Sequence, residues 1–248
     1  SEVTKFDNES KELGNWYVGQ KQGEIWGYET YGLFQSEQEI AGAANQDKVS
    51  GGIKLMPGDI RFVDRNNDGV IDWGDNTVDN PGDKKIIGNS TPRYHYGINL
   101  GADWKGFDLG IFFQGVGKRD LYLPGTSFRS HYGSEWQVPS AYNNDYWTEE
   151  NTGAYFPRAR FNGGSAINQA QTRYMVDASY CRLKSVSIGY TLPKVLTQKA
   201  SIEKIRIYFT GENLFTISDT PDGLDPELDN PYTYPMQRSL SVGLSLTF

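Results

Sequence analysis

The chain has 248 residues and carries 24 Lys and Arg against 31 Asp and Glu, a formal charge of −7 that argues against a nucleic-acid binder with its usual basic face. Aromatic residues at 14% and 28 glycines favour short strands and turns over helices, and the one cysteine, Cys181, excludes an intrachain disulfide and a multi-cysteine zinc site. No run of about 18 apolar residues offers a transmembrane helix, but strands of a membrane barrel alternate and escape that test, so an all-β fold in either solvent stays open.

Residues 1–93 open with Gly14, Gly19, Gly23, Gly27 and Gly32 set among Trp16, Tyr17, Trp26, Tyr28 and Tyr31, a spacing that predicts irregular loop with short β-pieces. A short helix is predicted over residues 36–44, with Ser36 as its cap and Glu39 in the capping-box place.

Residues 64–75 carry the most specific signal in the chain. Asp64, Asn66, Asp68 and Asp72 fall at positions 1, 3, 5 and 9, Gly69 at 6, Ile71 at 8 and Asp75 at 12, the spacing of a calcium loop. Hard Ca²⁺ takes six or more oxygens, which alternate residues of a tight loop supply while glycine provides the left-handed turn. The candidate ligands are Asp64, Asn66, Asp68, the Val70 carbonyl, Asp72 and Asp75, holding a structural Ca²⁺. The flanks lack the pattern of the two helices that usually frame such a loop. The same residues also serve as bare Asx turns that bond their own backbone without a metal.

Strict alternation predicts five strands in the remainder. Tyr94, Tyr96, Ile98, Leu100 and Ala102 alternate with His95, Gly97, Asn99 and Gly101, and the chain returns from Phe107 to Gly115 after a short Trp104, Lys105, Gly106 connection that reads as a hairpin. Val186, Ile188, Tyr190 and Leu192 form a third set, ended by Pro193, and Ile205, Ile207 and Phe209 a fourth. Leu240, Val242, Leu244, Leu246 and Phe248 form the fifth, interleaved with Ser239, Ser241, Ser245 and Thr247. If these strands meander, the short connections fall at one end and the long ones, near 116–178 and 218–237, at the other. Outer-membrane barrels share that asymmetry.

No enzyme chemistry is expected. The two histidines, His95 and His131, do not pair, and Glu149, Glu150 and the Asp225, Glu227, Asp229 cluster read as solvated turns. Tyr142, Tyr146, Trp147 and Tyr155 are candidate substrate-binding residues, as rings that stack on sugars or peptide groups. The competing reading has them pack long loops into a lid.

Taken in order, GDIRFVD at 58–64, IGNSTPRY at 87–94, WKGFDL at 104–109, FQG at 113–115, YWTEEN at 146–151, DASYCRLK at 177–184, GYTLP at 189–193, GENLF at 211–215, DPE at 225–227 and LTF at 246–248 resemble the C-terminal part of the SusC/RagA family of TonB-dependent outer-membrane transporters. The resemblance covers nearly the whole chain. It implies antiparallel up-and-down strands of a large outer-membrane β-barrel of about 22 strands with long extracellular loops. Residues 1–93 would be an extracellular loop region containing the calcium-type loop, and 94–248 the last five or so strands with their loops.

It further implies a SusD-like surface lipoprotein that hands over glycans or peptides, TonB pulling on an N-terminal plug, and Phe248 as the signal read by the barrel assembly machinery. Five strands cannot close a barrel, for which about eight are needed, so this chain is expected to be one part of the transporter. The alternative is a soluble, calcium-stabilised β-module that binds glycans, with the apolar strand faces buried in a dry core.

Overall fold

The alternating segments become strands, and how far their apolar side is buried differs between two parts of the chain. In the computed structural model, which describes residues 1–123, 145–160, 164–198, 201–221, 224–228 and 233–248, the chain divides into two units. One comprises Ser1–Thr91 with Asp120–Val176, the other Pro92–Arg119 with Asp177–Phe248.

The first unit is built from short β-pairs around an apolar core. β1 (Glu24–Tyr28) pairs antiparallel with β4 (Lys84–Asn89), and β2 (Thr30–Leu33) with β3 (Ile60–Phe62). β7 (Asp120–Tyr122) pairs with β8 (Met175–Asp177). Tyr28, Phe34, Val49, Ile60, Phe62, Ile71 and Tyr174 are buried, each burial contributing about 1.5–3 kcal/mol. Buried Gln46 works as a strand surrogate, its amide nitrogen donating to the Ile60 carbonyl at 2.7 Å and its oxygen accepting from Phe62 N–H at 3.4 Å.

The expected helix covers Glu37–Ala41, shorter than predicted because Gly42 closes it. Ser36 Oγ accepts from Glu39 N–H at 3.2 Å as foreseen. Glu39 Oε2 reaches back one residue further than a capping box requires, to Gln35 N–H at 2.8 Å.

The second unit is one antiparallel sheet. Its strands are β5 (Tyr94–Trp104), β6 (Phe107–Gly117), β9 (Tyr180–Thr191), β10 (Lys204–Glu212) and β12 (Ser239–Thr247), in the order β12-β10-β9-β6-β5, with β11 (Thr216–Ser218) pairing on the far part of β9. Lys105 and Gly106 take positive φ of 47° and 89° at the hairpin between β5 and β6, the backbone a two-residue primed turn requires. Tyr96 lies across Gly115, where a Cβ would meet its ring at 2.1 Å, and its hydroxyl donates to the Tyr180 carbonyl at 3.1 Å.

β9 begins at Tyr180, well before the alternation becomes regular. The register with β6 shifts so that Phe112 faces Ser185 and Phe113 faces Leu183, leaving Lys184 as the extra residue of a bulge. One inserted residue reverses the phase of every side chain before it, which hides the first half of the strand from a period-2 reading.

The register aligns the apolar sets: Phe209 pairs with both Val242 and Ile188, and Ile188 with Leu109. That face is exposed across the sheet, with Val242 at 79% and Leu240 at 65% of full exposure. Trp104 and Phe107 stand exposed at the hairpin end of the same sheet, Tyr94 and Tyr96 toward the opposite end of β5.

Candidate functional site

The Asp and Asn residues of 64–75 fold into consecutive Asx turns. Asn66 Oδ1 accepts from Asp68 N–H at 3.1 Å, Asp68 Oδ1 from Val70 N–H at 2.8 Å and Asp64 Oδ2 from Gly69 N–H at 2.9 Å. Gly69 has φ of 83°, the left-handed turn the spacing called for, and Asn67 adds a second at 58°.

The later candidates point elsewhere. Asp72 Oδ2 accepts from Lys48 Nζ at 2.7 Å and its Oδ1 from Gly74 N–H at 2.8 Å, while Asp75 Oδ2 accepts from Asn80 at 2.8 Å. The Lys48 ammonium, with the Gly74 N–H, holds the Asp72 carboxyl below the usual carboxylate range.

One oxygen of the loop stands out. Asp64 Oδ1 is buried with no hydrogen-bond partner, the kind of oxygen a hard cation would take. Among the described residues no three His, Cys, Asp or Glu side chains converge as a metal cluster. Asp83, outside the twelve-residue window, closes the loop: its buried carboxylate accepts from Arg65 N–H at 2.7 Å and Asp72 N–H at 2.8 Å. Its distance from the motif gave no sequence signal for that role.

The aromatic candidates separate by exposure. Tyr142 lies outside the described residues. Trp147, a candidate for either substrate binding or loop packing, is 3% exposed; Arg158 lies 5.0 Å over its ring, and the Gly58 backbone approaches so closely that a Cβ there would meet the indole at 2.6 Å. Its Nε1 donates to Gln35 Oε1 at 3.2 Å. It packs the loop.

Tyr146 and Tyr155 keep accessible surface. Tyr155 stacks edge-on with Phe156 and Tyr174, and burial pushes its phenol up. Arg173 fixes that corner by donating from Nε to the Tyr155 carbonyl at 2.6 Å and from Nη2 to the Ala154 carbonyl at 2.5 Å.

In the second unit Asp225 and Glu227, read from sequence as solvated turn residues, instead meet a buried guanidinium. Arg182 on β9 donates from Nη2 to Asp225 Oδ1 at 2.6 Å, from Nη1 to Glu227 Oε2 at 2.7 Å and from Nε to Thr216 Oγ1 at 2.8 Å, and Lys184 joins Glu227 at 2.9 Å. Burial pushes the Asp225 carboxyl up, but Arg182 and the N–H groups of Glu227 and Met236 more than offset it and hold it below the usual range. An arginine interrupting an apolar strand opposite an acidic turn was the signal available for this pairing. Phe248, just past β12, is 83% exposed.

The comparisons fit these features. No family model matches the chain. Among curated proteins it is 31% identical over 248 residues to TonB-dependent receptor P3 of Formosa agariphila, covering 93% of this chain and 22% of that one. It is 29% identical over 194 residues to TonB-dependent receptor SusC of Bacteroides thetaiotaomicron, covering 75% of this chain and 17% of SusC. The chain therefore spans less than a quarter of the length of these relatives.

Among solved structures, the RagAB peptide transporter aligns with a TM-score of 0.62 at 21% identity, and RagAB in its closed-closed state with 0.64 at 22%. Each covers 94% of this chain and 24% of the matched one, a likeness of fold. Over most of its length the chain is thus similar to a part of TonB-dependent receptors, SusC among them, and shares the fold of the corresponding part of RagAB.

Proposed function

We infer that this chain supplies wall strands and loops of an outer-membrane barrel of about 22 strands that imports glycans or peptides. A SusD-like lipoprotein delivers the cargo, TonB drives release through a plug carried elsewhere in the protein, and the assembly machinery reads Phe248. The observation that carries the reading is the outward apolar face of the sheet. Eleven-residue strands such as β5 and β6 extend about 36 Å, which a tilt of about 40° reduces to roughly 28 Å, close to the apolar band of about 25 Å. Exposed Trp104 and Phe107 near one end and Tyr94 near the other sit where aromatic girdles belong. Across β12 the reverse face carries Ser239, Ser241, Gly243 and Ser245 against Leu240, Val242, Leu244 and Leu246, the polar-in, apolar-out alternation of a barrel wall.

The test is Val242→Arg combined with Leu244→Arg in the full-length receptor, followed by recovery from the outer membrane and uptake of cargo. Loss of both supports the reading, whereas a receptor that assembles and imports normally overturns it. The loop at 64–75 is proposed as a structural Ca²⁺ site in which Asp64, Asn66, Asp68 and the Val70 carbonyl supply oxygens, with Asp72 and Asp75 released from Lys48 and Asn80. Calorimetric titration of the receptor with Ca²⁺ should give a heat signal that Asp68→Ala removes; an unchanged signal refutes the site.

A further inference from the structure

Among the described residues Lys48, Lys85 and Lys184 each donate from Nζ to a carboxylate, those of Asp72, Glu29 and Glu227. Lys84 meets an amide instead. Its Nζ donates to Asn76 Oδ1 at 2.8 Å, with the centroid of the buried Tyr28 ring 5.8 Å away. A half-buried ammonium in that position loses hydration without gaining a counter-charge, and burial pulls the Lys84 amine below its usual range.

Both residues sit on backbone that fixes them. Asn76 takes a left-handed φ of 57°, its N–H donates to the Trp73 carbonyl at 2.8 Å, and its own carbonyl accepts from Leu13 N–H at 2.9 Å. Lys84 opens β4 opposite Tyr28, its N–H donating to the Pro81 carbonyl at 3.2 Å and its carbonyl accepting from Arg65 Nη1 at 3.1 Å.

A desolvated lysine amine is a nucleophile, and a carboxamide held against it is an acyl group. Fixing two such groups in contact is equivalent to a concentration of about 10⁵–10⁸ M, which brings an otherwise very slow amide exchange within reach inside one chain. We propose that Lys84 and Asn76 form an intramolecular isopeptide bond. The neutral Nζ adds to Asn76 Cγ, the tetrahedral adduct passes a proton from the incoming to the departing nitrogen, and the Cγ–Nδ2 bond breaks. One C–N bond is made and one is broken, ammonia leaves, and nothing is oxidised or reduced.

The product is a covalent ring over residues 76–84. It encloses Asp83, the carboxylate that closes the 64–75 loop through Arg65 N–H and Asp72 N–H, so the bond locks that closure in place. The modification does not depend on the import reading.

The test is mass spectrometry of the purified full-length receptor after trypsin, which cuts behind Lys84 only while its amine is free. The expected predominant product spans residues 66–85, is one ammonia lighter than its sequence mass, and fragments outside 76–84 but not within the ring. Lys84→Arg and Asn76→Gly, the second chosen to keep the left-handed backbone, should each restore the full mass and cleavage behind residue 84. A linear peptide of residues 66–84 at full mass from the unaltered receptor would overturn the proposal. So would a peptide one ammonia lighter that still fragments between residues 77 and 83, the mark of a succinimide at Asn76.

Discussion

The two units put the same kinds of residue to opposite use. In the first, Phe34, Ile60 and Ile71 are fully buried, and the exposed apolar residues, such as Val18, Tyr31, Met56 and Trp73, are scattered along the chain. In the second, the sheet turns Leu240, Val242, Ile188 and Ile207 outward and keeps Ser241, Ser187 and Thr210 on the reverse. A sheet in water would bury that apolar face, because exposed contiguous apolar surface is costly and prone to association. The difference teaches that alternation alone reports two faces; the solvent of each has to come from the rest of the fold.

The largest expected effect lies where the sheet carries charge. Arg182→Ala removes a buried partner of Asp225 and Glu227 and should cost about 3–5 kcal/mol, read as a lower unfolding temperature of the receptor in detergent and faster proteolysis within 219–238. A loss under 1 kcal/mol would show the pair to be dispensable, in the manner of surface ion pairs.

Next, Val242→Arg on the outward face should cost about 2–4 kcal/mol in a bilayer if this face meets lipid, while Ser241→Arg on the reverse should be nearly neutral. Equal costs at the two positions would erase the distinction between the units.

A smaller effect follows pH. Because the Asp225 carboxyl titrates below its unfolded value, the stability it contributes is fully present above about pH 4 and is lost as pH falls through the lower, folded value. Amide protection of Glu227 and Met236, corrected for intrinsic exchange, should hold from pH 5 to 8 and fall below about 4; Asp225→Asn should abolish that acid-side drop. The smallest effect belongs to the first unit, where Ser36→Ala removes one helix cap and should cost about 1 kcal/mol. A thermal shift of that size, with no change in receptor insertion, would confirm that the helix belongs to a water-facing element.

The strands with unbroken alternation were legible from sequence nearly to their ends, because period 2 maps directly onto faces. β9 was legible only after its bulge: Lys184 shifts the phase, so Cys181 and Leu183 fall out of step with Val186 and Ile188. The loop at 64–75 announced its turns through Asp and Gly spacing, but the residue that closes it, Asp83, sits outside the motif and makes contacts no local pattern encodes. Trp147 and Tyr155 looked alike as loop aromatics, and only burial tells them apart.

The central claim, that the sheet faces lipid, is tested most directly along β12. In the full-length receptor with Cys181 replaced, single cysteines at residues 240 to 246 would carry a fluorophore in bilayers containing a quencher confined to the acyl chains. Quenching should alternate, strong at Leu240, Val242, Leu244 and Leu246 and weak at Ser241, Gly243 and Ser245. Uniform quenching, or protection of the leucine set from the lipid quencher, would contradict it.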